Sequence, residues 1–441
     1  MYIFLFLAYL IIFSGLIYYW KFFDIKGVRR KYLISVFVLK ILVGIGLSLL
    51  YTDHYTSRKT GDAFRFYDDA AIMYSSIDED PVIFLRLITG IGMKTDEQSL
   101  KYYMRMTHLE RNYHKGFLND NATIIRVNAI VMIFSLGYYH IHTAFWCFFA
   151  MIGLTAIFKL CVNHFPRKKW AMFFAVFLLP TVLFWSSGVL KEPLLLLGLG
   201  IFLLGFIRFI YSEHSRSDYW KILFGFLILL VAKGYVIQCL APALVGLLLA
   251  KAFGGRRFWL WFSLPHILII PVLLIGPHIS NDLKISEIMS NKQIAFYNVA
   301  AESNSGSVIE ILPINKPIDV ILNAPAALVN TYLRPWPWQW EKLLYIPAAL
   351  ENLLLLFALG IMVWNFKRPY GLSIPVLAFC GSFVVVLGVL TGEVVPVLGA
   401  LVRYKLPSLI FLFVLLFALT DHVKLQRRFP IIRKAVRLLE K

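Results

Sequence analysis

Residues 2–20 read YIFLFLAYLIIFSGLIYYW, a run without a single charged side chain. About 20 apolar residues in a helix cross a bilayer core of about 30 Å, so this run predicts a transmembrane helix. Similar runs recur along the 441-residue chain, which is 59% apolar and only 16% charged. Ordinary soluble domains carry about 25% charged residues, and the ten-residue alternation of a transmembrane barrel is missing from the pattern. The sequence therefore predicts an all-α, polytopic helical membrane protein.

The charge of the chain is distributed as in a membrane protein. The formal net charge is +19, and the basic residues collect in short loops and near the C-terminus. This distribution is typical of positive-inside topology, so we predict a lipid bilayer as partner and no nucleic acid.

Cysteine and histidine give no metal pattern. The four cysteines lie in apolar runs without ligand spacing and predict small packing residues. They are Cys147, Cys161, Cys239 and Cys380. His108 and His114 are six residues apart, do not share a helical face, and predict positions in a surface loop.

Alternation of spans and basic loops predicts about eleven transmembrane helices in one integral membrane domain over residues 1–441. It places the N-terminus outside and the C-terminus in the cytoplasm. One pair of spans, within 222–253, is predicted to be broken at Ala232-Lys233-Gly234-Tyr235. The other predicted spans are 2–20, 32–51, 143–162, 171–186, 189–210, 258–276, 343–364, 371–391 and 400–420.

Two long outer segments, 52–123 and 277–340, separate these spans. Apolar stretches that are too short or too weakly apolar to cross predict helices lying along the membrane surface. These stretches are 82–92 and 317–333, and 124–138 is predicted to be an interfacial or half-inserted helix. The basic tail 421–441 predicts a cytoplasmic, interfacial helix on an anionic inner leaflet.

The first outer segment contains Gly61-Asp62-Ala63-Phe64-Arg65-Phe66-Tyr67-Asp68-Asp69-Ala70, with three carboxylates, one arginine and three aromatic rings. A helix here would place Asp62 and Asp69 on one face. One carboxylate can act as a base or hold a divalent cation while the rings pack on a sugar. The catalytic candidates are Asp62, Asp68 and Asp69, with Arg65 and Tyr67 as substrate contacts. The alternative is a solvated loop that caps a helix bundle.

Ionisable residues near membrane depth cost about 2.5–3.5 kcal/mol each on insertion scales and usually mark a polar cavity. In the predicted topology the polar clusters fall on the outer side, which favours a hydrated outer cavity. The further substrate-contact candidates are Trp185, Lys191, Glu192, Lys233, Arg334, Arg403 and Lys405. The alternatives are that Lys191 and Glu192 pair or cap a helix, and that the other cations snorkel to the interface.

The layout resembles the polytopic, lipid-sugar-dependent glycosyltransferases of the GT-C class and, more loosely, bacterial surface-polysaccharide polymerases. The resemblance rests on Gly61-Asp62-Ala63 and Tyr67-Asp68-Asp69 in the first outer segment, and on 185–192 and 402–407; an extra span precedes that segment. It implies an acidic residue as base or metal contact, and basic residues on a lipid phosphate. It also implies a polyprenyl-phosphate-linked sugar donor, a glycan acceptor and a bacterial inner membrane.

Two other classes of function share these features. A transporter or flippase of lipid-linked saccharides would use the same cationic cavity without chemistry, and it predicts a second opening on the inner side. A non-enzymatic envelope-assembly protein would use the clustered charges to bind partners. The one-sided distribution of polar clusters favours the transferase.

Overall fold

The computed structural model describes residues 2–54, 61–109, 119–211, 215–254, 257–280, 283–302, 307–339, 345–369, 371 and 373–440. Within these ranges the regular elements are helices, and β structure is limited to isolated bridges. The α-helices are α1 (Tyr2–Tyr19), α2 (Arg30–His54), α3 (Asp62–Ser75), α4 (Pro81–Thr89), α5 (Glu97–Arg105), α6 (Asp120–Ser135), α7 (Tyr139–His164), α8 (Lys169–Phe173), α9 (Pro180–Trp185), α10 (Lys191–Tyr211), α11 (Arg216–Ala252), α12 (Phe258–Ile279), α13 (Ile285–Glu302), α14 (Asp319–Leu322), α15 (Ala324–Leu333), α16 (Ile346–Trp364), α17 (Ser373–Val394), α18 (Leu398–Tyr404), α19 (Leu406–Leu419), α20 (His422–Arg428) and α21 (Pro430–Glu440).

Contacts divide the chain into two compact units. The first unit comprises Met1–Leu160 with Leu183–Ile237, and the second comprises Cys161–Val182 with Gln238–Lys441. Helices α1 to α6 and α10 belong to the first unit, and α8 and α12 to α21 belong to the second.

Eight helices in the described ranges are long and apolar enough to cross a membrane, namely α1, α2, α7, α10, α11, α12, α16 and α17. A ninth span results if α18 and α19, which are bent by 58°, are counted as one. The prediction of an all-helical, multi-pass membrane protein is therefore confirmed at this level. The predicted number of about eleven spans is not confirmed.

Two predicted spans account for most of the difference. Residues 171–186 are divided among α8, a π-helical turn (Phe174–Leu178) and α9, each too short to cross. Proline at position 180 explains the division, because it lacks an N–H and holds Leu179 in an extended conformation. The pair predicted within 222–253 lies in α11, which consists of two helices joined at Lys233, where the dihedral angles are non-helical (φ −156°, ψ 78°), and which counts as one candidate span. The predicted break is present, but it is a kink rather than a turn.

Short helices are present in 82–138 and 317–333, where the sequence predicts them. Residues 82–92 correspond to α4, whose first turn is capped by Asp80 accepting from the Val82 N–H at 2.8 Å. Helix α4 ends at Gly90, where φ is +77° and a side chain would be strained. Residues 124–138 correspond to α6, and residues 317–333 to α14 and α15. Their location along the membrane surface stays a prediction.

Backbones approach closely where α7 crosses α10 in the first unit. A Cβ added at Gly153 would collide with the Leu196 carbonyl group, and one added at Gly200 would collide with Gly153 itself. Small residues at such crossings let helices pack at short distance.

The four cysteines are buried and form no disulfide, as their apolar context predicted.

We expect Gly153→Ala to lower the free energy of unfolding by about 1–3 kcal/mol, because the new methyl group must push two backbones apart. Thermal or denaturant unfolding in mild detergent measures the change. Gly15→Ala is the matched control, since nothing lies within 4 Å of the added Cβ in α1. It should stabilise the protein by about 0.5–1 kcal/mol. Equal stability of the two variants would contradict the close crossing.

Basic segments converge at one end of the second unit. The Lys168 ammonium group donates to the carbonyl oxygens of Ala418 (2.5 Å) and Thr420 (2.8 Å), at the C-terminus of α19. The Lys367 N–H donates to the Leu419 carbonyl at 2.8 Å, and Asp421 follows directly. Cations at a helix C-terminus offset its unpaired carbonyl groups. The three segments predicted to share the cytoplasmic side therefore meet in one place.

Candidate functional site

Helix α3 turns the acidic-aromatic stretch into a defined surface. It begins after Gly61 and continues to Ser75, so the helix expected from the spacing of Asp62 and Asp69 is present. Asp62, Arg65 and Asp69 fall on one face at intervals of three and four residues. Phe66 belongs to the same face, so it is the aromatic ring closest to this row of charges.

Asp69 is buried, with 2% of its surface exposed. One carboxylate oxygen accepts from the Thr107 N–H at 2.9 Å, and the other accepts from His108 (2.6 Å) and Leu109 (2.8 Å). Three charge-assisted bonds to one segment of backbone hold residues 107–109 against α3. Asp69 therefore has a clear structural function, and its predicted catalytic role would compete with these bonds.

His108 lies beside this carboxylate. Its Nδ1 atom is 4.0 Å from Asp69 and 18% of its side chain is exposed, so His108 lies in a partly exposed loop that packs against α3. Burial lowers the pKa of His108, and the positive charge of Arg65 lowers it further, whereas the three nearby aspartates raise it. His114 lies outside the described residues. The sequence could not place His108 here, because the contact joins residues 39 positions apart.

Asp62 and Arg65 form the accessible part of the α3 face. Their charged groups are 3.9 Å apart, with 43% of the aspartate and 34% of the arginine side chain exposed. Asp68 is partly exposed one turn further along the helix. A carboxylate in this position reaches solvent and can accept a proton or hold a cation. Asp62 and Asp68 therefore fit the predicted chemical role better than Asp69 does.

The rings of the stretch are mostly packing residues. Phe64, Phe66 and Tyr67 are 4–7% exposed. The Tyr67 hydroxyl donates to the Gly137 carbonyl, and its ring packs edge-on against Tyr139. These contacts fasten α3 to the end of α6. Of the three rings, Phe66 meets a cation within the described part of the chain.

Lys191, the first residue of α10, contacts α3. Its ammonium nitrogen lies 5.2 Å from the centre of the Phe66 ring and 2.8 Å from the Asp120 carboxylate. It also donates to the side-chain oxygen of Asn121. Asn119 caps the start of α6 and thereby fixes Asp120 and Asn121 in the first turn. A cation, an aromatic face and a carboxylate that is 48% exposed meet at one point.

Glu192 turns away from Lys191 and binds a different cation. Its carboxylate is 2.7 Å from the Lys233 ammonium group, and 0% and 3% of the two side chains are exposed. Lys233 is the non-helical residue of α11, so the kink delivers its side chain to the start of α10. The alternatives of a Lys191–Glu192 pair and of a snorkelling Lys233 are both wrong. Leu194 and Ala232, which are close to the pair in sequence, belong to a buried apolar cluster.

The chain between α9 and α10 is buried although it is not helical. Trp185 is 8% exposed, and Ser186 and Ser187 are fully buried. Lys40, at the middle of α2 and also fully buried, donates to the Ser186 hydroxyl at 2.5 Å. Non-helical backbone at membrane depth persists only where protein groups satisfy it. Lys40 is not among the predicted site residues, although a lone cation in the middle of an apolar run is a signal of such a position.

The second unit holds the other predicted cations. Lys405 is fully buried and donates to the Asn352 side chain at 2.8 Å and to the Arg334 carbonyl at 3.3 Å, so it does not snorkel. Neighbouring Glu351 accepts from the Thr181 N–H at 3.1 Å. Arg334 and Arg403 are partly exposed. Lys405, Asn352 and the Arg334 carbonyl group therefore form a second buried polar cluster, in the second unit.

No family model, curated protein or solved structure matches this chain. The site is therefore defined by its own geometry: Asp62 and Arg65 on α3, Lys191 against Phe66, and Asp120 at the start of α6. A shallow cleft of about 700 Å³ lies along α4 and the loop after it, and none of the predicted site residues lines it.

The arrangement of carboxylates limits how this site could bind a metal ion. In the part of the chain that the structure describes, no three His, Cys, Asp or Glu side chains are grouped to hold a metal ion. Asp62 and Asp68 are the carboxylates with exposed surface on α3, but at six residues apart they do not share a helical face, so a divalent cation would contact one of them together with substrate phosphate and water.

Proposed function

We propose that this protein is a membrane glycosyltransferase that uses a polyprenyl-phosphate-linked sugar at the outer membrane face to assemble a cell-envelope glycan. The observation that carries the proposal is the contact of Lys191 with Phe66 and Asp120. The contact with Phe66 joins α3, in the first outer segment, to Lys191, which lies more than 100 positions later in the chain. The resemblance of the layout to the GT-C class supports the same function.

The proposal includes a topology. About eleven crossings in one membrane domain place the N-terminus outside and the C-terminus in the cytoplasm of a bacterial inner membrane. The convergence of Lys168, Lys367 and the start of the tail at one end of the second unit supports a common side for the basic segments.

The transfer reaction assigns a role to each accessible group. Asp62 or Asp68 takes the proton from the acceptor hydroxyl as its oxygen bonds to the anomeric carbon. The bond from that carbon to the phosphate oxygen breaks, and polyprenyl phosphate leaves with the electron pair. Lys191 stabilises the charge on the leaving phosphate by exchanging its contact with Asp120. A divalent cation, when bound, supplies further positive charge there.

Other residues of the first unit position these groups. The buried pair of Glu192 and Lys233 holds the start of α10, so that the preceding Lys191 is presented to α3. Arg65 orients the acceptor or the Asp62 carboxylate. In the second unit, taken by itself, Arg334, Arg403 and Lys405 are proposed as substrate contacts. Trp185 shapes the buried chain that leads to Lys191.

Lys191→Met tests the proposal directly. Loss of one charge-assisted contact worth about 1.5–3 kcal/mol should slow transfer about tenfold to a hundredfold. The assay follows labelled sugar from a polyprenyl-phosphate donor to a glycan acceptor, with purified protein in vesicles. Asp62→Asn should lose transfer too.

Lys101→Met is the control, because this exposed lysine of α5 lies outside the site. Undiminished transfer by a correctly folded Lys191→Met variant would remove Lys191 from the mechanism. Equal losses for Lys101→Met would show that the assay reports general damage.

A transporter or flippase of lipid-linked saccharides is the second candidate. A buried ion pair at a break in a 37-residue helix favours it, since many transporters bind substrates at broken helices. The two functions differ in the product. A flippase returns the labelled donor intact in the opposite leaflet, whereas a transferase separates the sugar from its lipid phosphate.

A further inference from the structure

The C-terminal helix α21 has an uncovered apolar face. None of its residues is buried, and Ile431 and Leu438 are 77% and 60% exposed. At eleven residues it is too short to cross a bilayer. An isolated helix of this length is also marginal in water, so a surface that covers the apolar face would stabilise it.

The opposite face of the tail is strongly basic. Six lysine or arginine side chains and two acidic ones lie between Asp421 and Glu440. The basic residues are Lys424, Arg427, Arg428, Arg433, Lys434 and Arg437. A helix with one apolar and one cationic face matches a layer that is apolar below and negatively charged above.

The start of the tail is fixed at the end of a candidate membrane span. The Arg428 guanidinium group lies 4.4 Å from the centre of the Trp364 ring, and Trp364 is the last residue of α16. Leu425 is buried, and Asp421 caps α20 through the N–H groups of Val423 and Lys424. Tryptophan at the end of a span marks the level of the lipid headgroups.

The far end of the tail is fixed at a similar place. The Glu440 carboxylate lies 3.3 Å from the Lys169 ammonium group, and Lys169 follows the end of α7 by five residues. Neighbouring Lys168 binds the C-terminal carbonyls of α19. Arg428, two residues before α21, and Glu440, its last residue, are therefore both held close to the ends of candidate spans, so α21 extends between these span ends.

We propose that α21 lies flat in the headgroup layer of an anionic leaflet, with Ile431 and Leu438 towards the acyl chains and Arg433, Lys434 and Arg437 on anionic phospholipid. This inference is independent of the proposed enzymatic function. The occupant is a lipid surface, because the face pairs apolar residues with a row of cations at the depth of Trp364.

Hydrogen exchange of the full-length protein in nanodiscs tests the proposal. Amides of 430–440 should exchange at least about tenfold more slowly in discs containing phosphatidylglycerol than in discs of phosphatidylcholine alone. Salt at about 1 M should reduce the difference, because it shortens the Debye length to about 3 Å. Amides of buried α17 provide the internal reference.

Charge variants separate anionic recognition from simple apolar insertion. The triple variant Arg433→Gln, Lys434→Gln, Arg437→Gln should abolish the difference between the two lipids. The double variant Arg433→Lys, Arg437→Lys keeps the charge and should preserve it. Equal exchange in both lipids, or protection that survives in the triple glutamine variant, overturns the proposal. Protection that requires two protein copies per disc would instead indicate self-association and also overturns it.

Discussion

Lys233→Met is expected to lower the free energy of unfolding by about 3–5 kcal/mol, because it removes the cation 2.7 Å from a fully buried carboxylate. The pair cost desolvation energy when the protein folded, and its mutual attraction offsets that cost. Without Lys233, the Glu192 charge stays in an apolar surrounding at the start of α10. Denaturant or thermal unfolding of the purified protein in mild detergent measures the loss.

Two further variants show whether the charge is the cause. The double variant Lys233→Met, Glu192→Gln removes both charges and should recover much of the stability. Lys284→Met is the matched control, since its pair with Glu287 is 3.5 Å long and 37% and 60% exposed. It should change stability by less than about 1 kcal/mol. If the double variant is as unstable as Lys233→Met, the lost packing of the lysine stem, rather than the charge, explains the effect.

Asp69→Asn is expected to lower the free energy of unfolding by about 3 kcal/mol, because an amide cannot replace a carboxylate that accepts three backbone N–H bonds. One amide group would point its own donors at the N–H groups of residues 107–109. Hydrogen exchange of these amides should therefore accelerate before the rest of the protein opens. Unfolding in detergent gives the global change, and exchange mass spectrometry gives the local one.

Asp62→Asn is the natural comparison for this variant. Asp62 lies on the same face of α3, is 43% exposed, and has an arginine 3.9 Å away. Its replacement should cost less than about 1 kcal/mol of stability. Unchanged exchange of the 107–109 amides in Asp69→Asn would refute the anchoring role and return Asp69 to the candidate catalytic carboxylates.

Helix α3 shows which features of the site the local sequence pattern predicts. A spacing of seven residues predicted that Asp62 and Asp69 share a helical face, and they do. The same pattern could not separate their roles, because the difference lies in residues 107–109, which are remote in sequence. Asp69 is buried because residues 107–109 pack against it, whereas 43% of the Asp62 side chain is exposed.

The membrane spans also include features that the sequence predicted and one that it did not. Apolar runs predicted most of the long helices, and the Ala232-Lys233-Gly234-Tyr235 stretch predicted the break in α11. The run over 171–186 predicted a span and was divided by Pro180. Hydropathy averages over a window, so it does not register a single residue that interrupts backbone hydrogen bonding.

The sequence by itself determined that this is a polytopic helical membrane protein, and it identified the acidic-aromatic helix and the cations that have no place in lipid. Composition and periodicity are sufficient for these conclusions, because transfer of apolar helices into a bilayer depends on each segment alone. Only the tertiary structure decided which charges meet: Lys191 with Asp120, Glu192 with Lys233, and Lys40 with Ser186. These pairings join residues 41 to 146 positions apart, and such contacts depend on how helices pack rather than on the residues beside them.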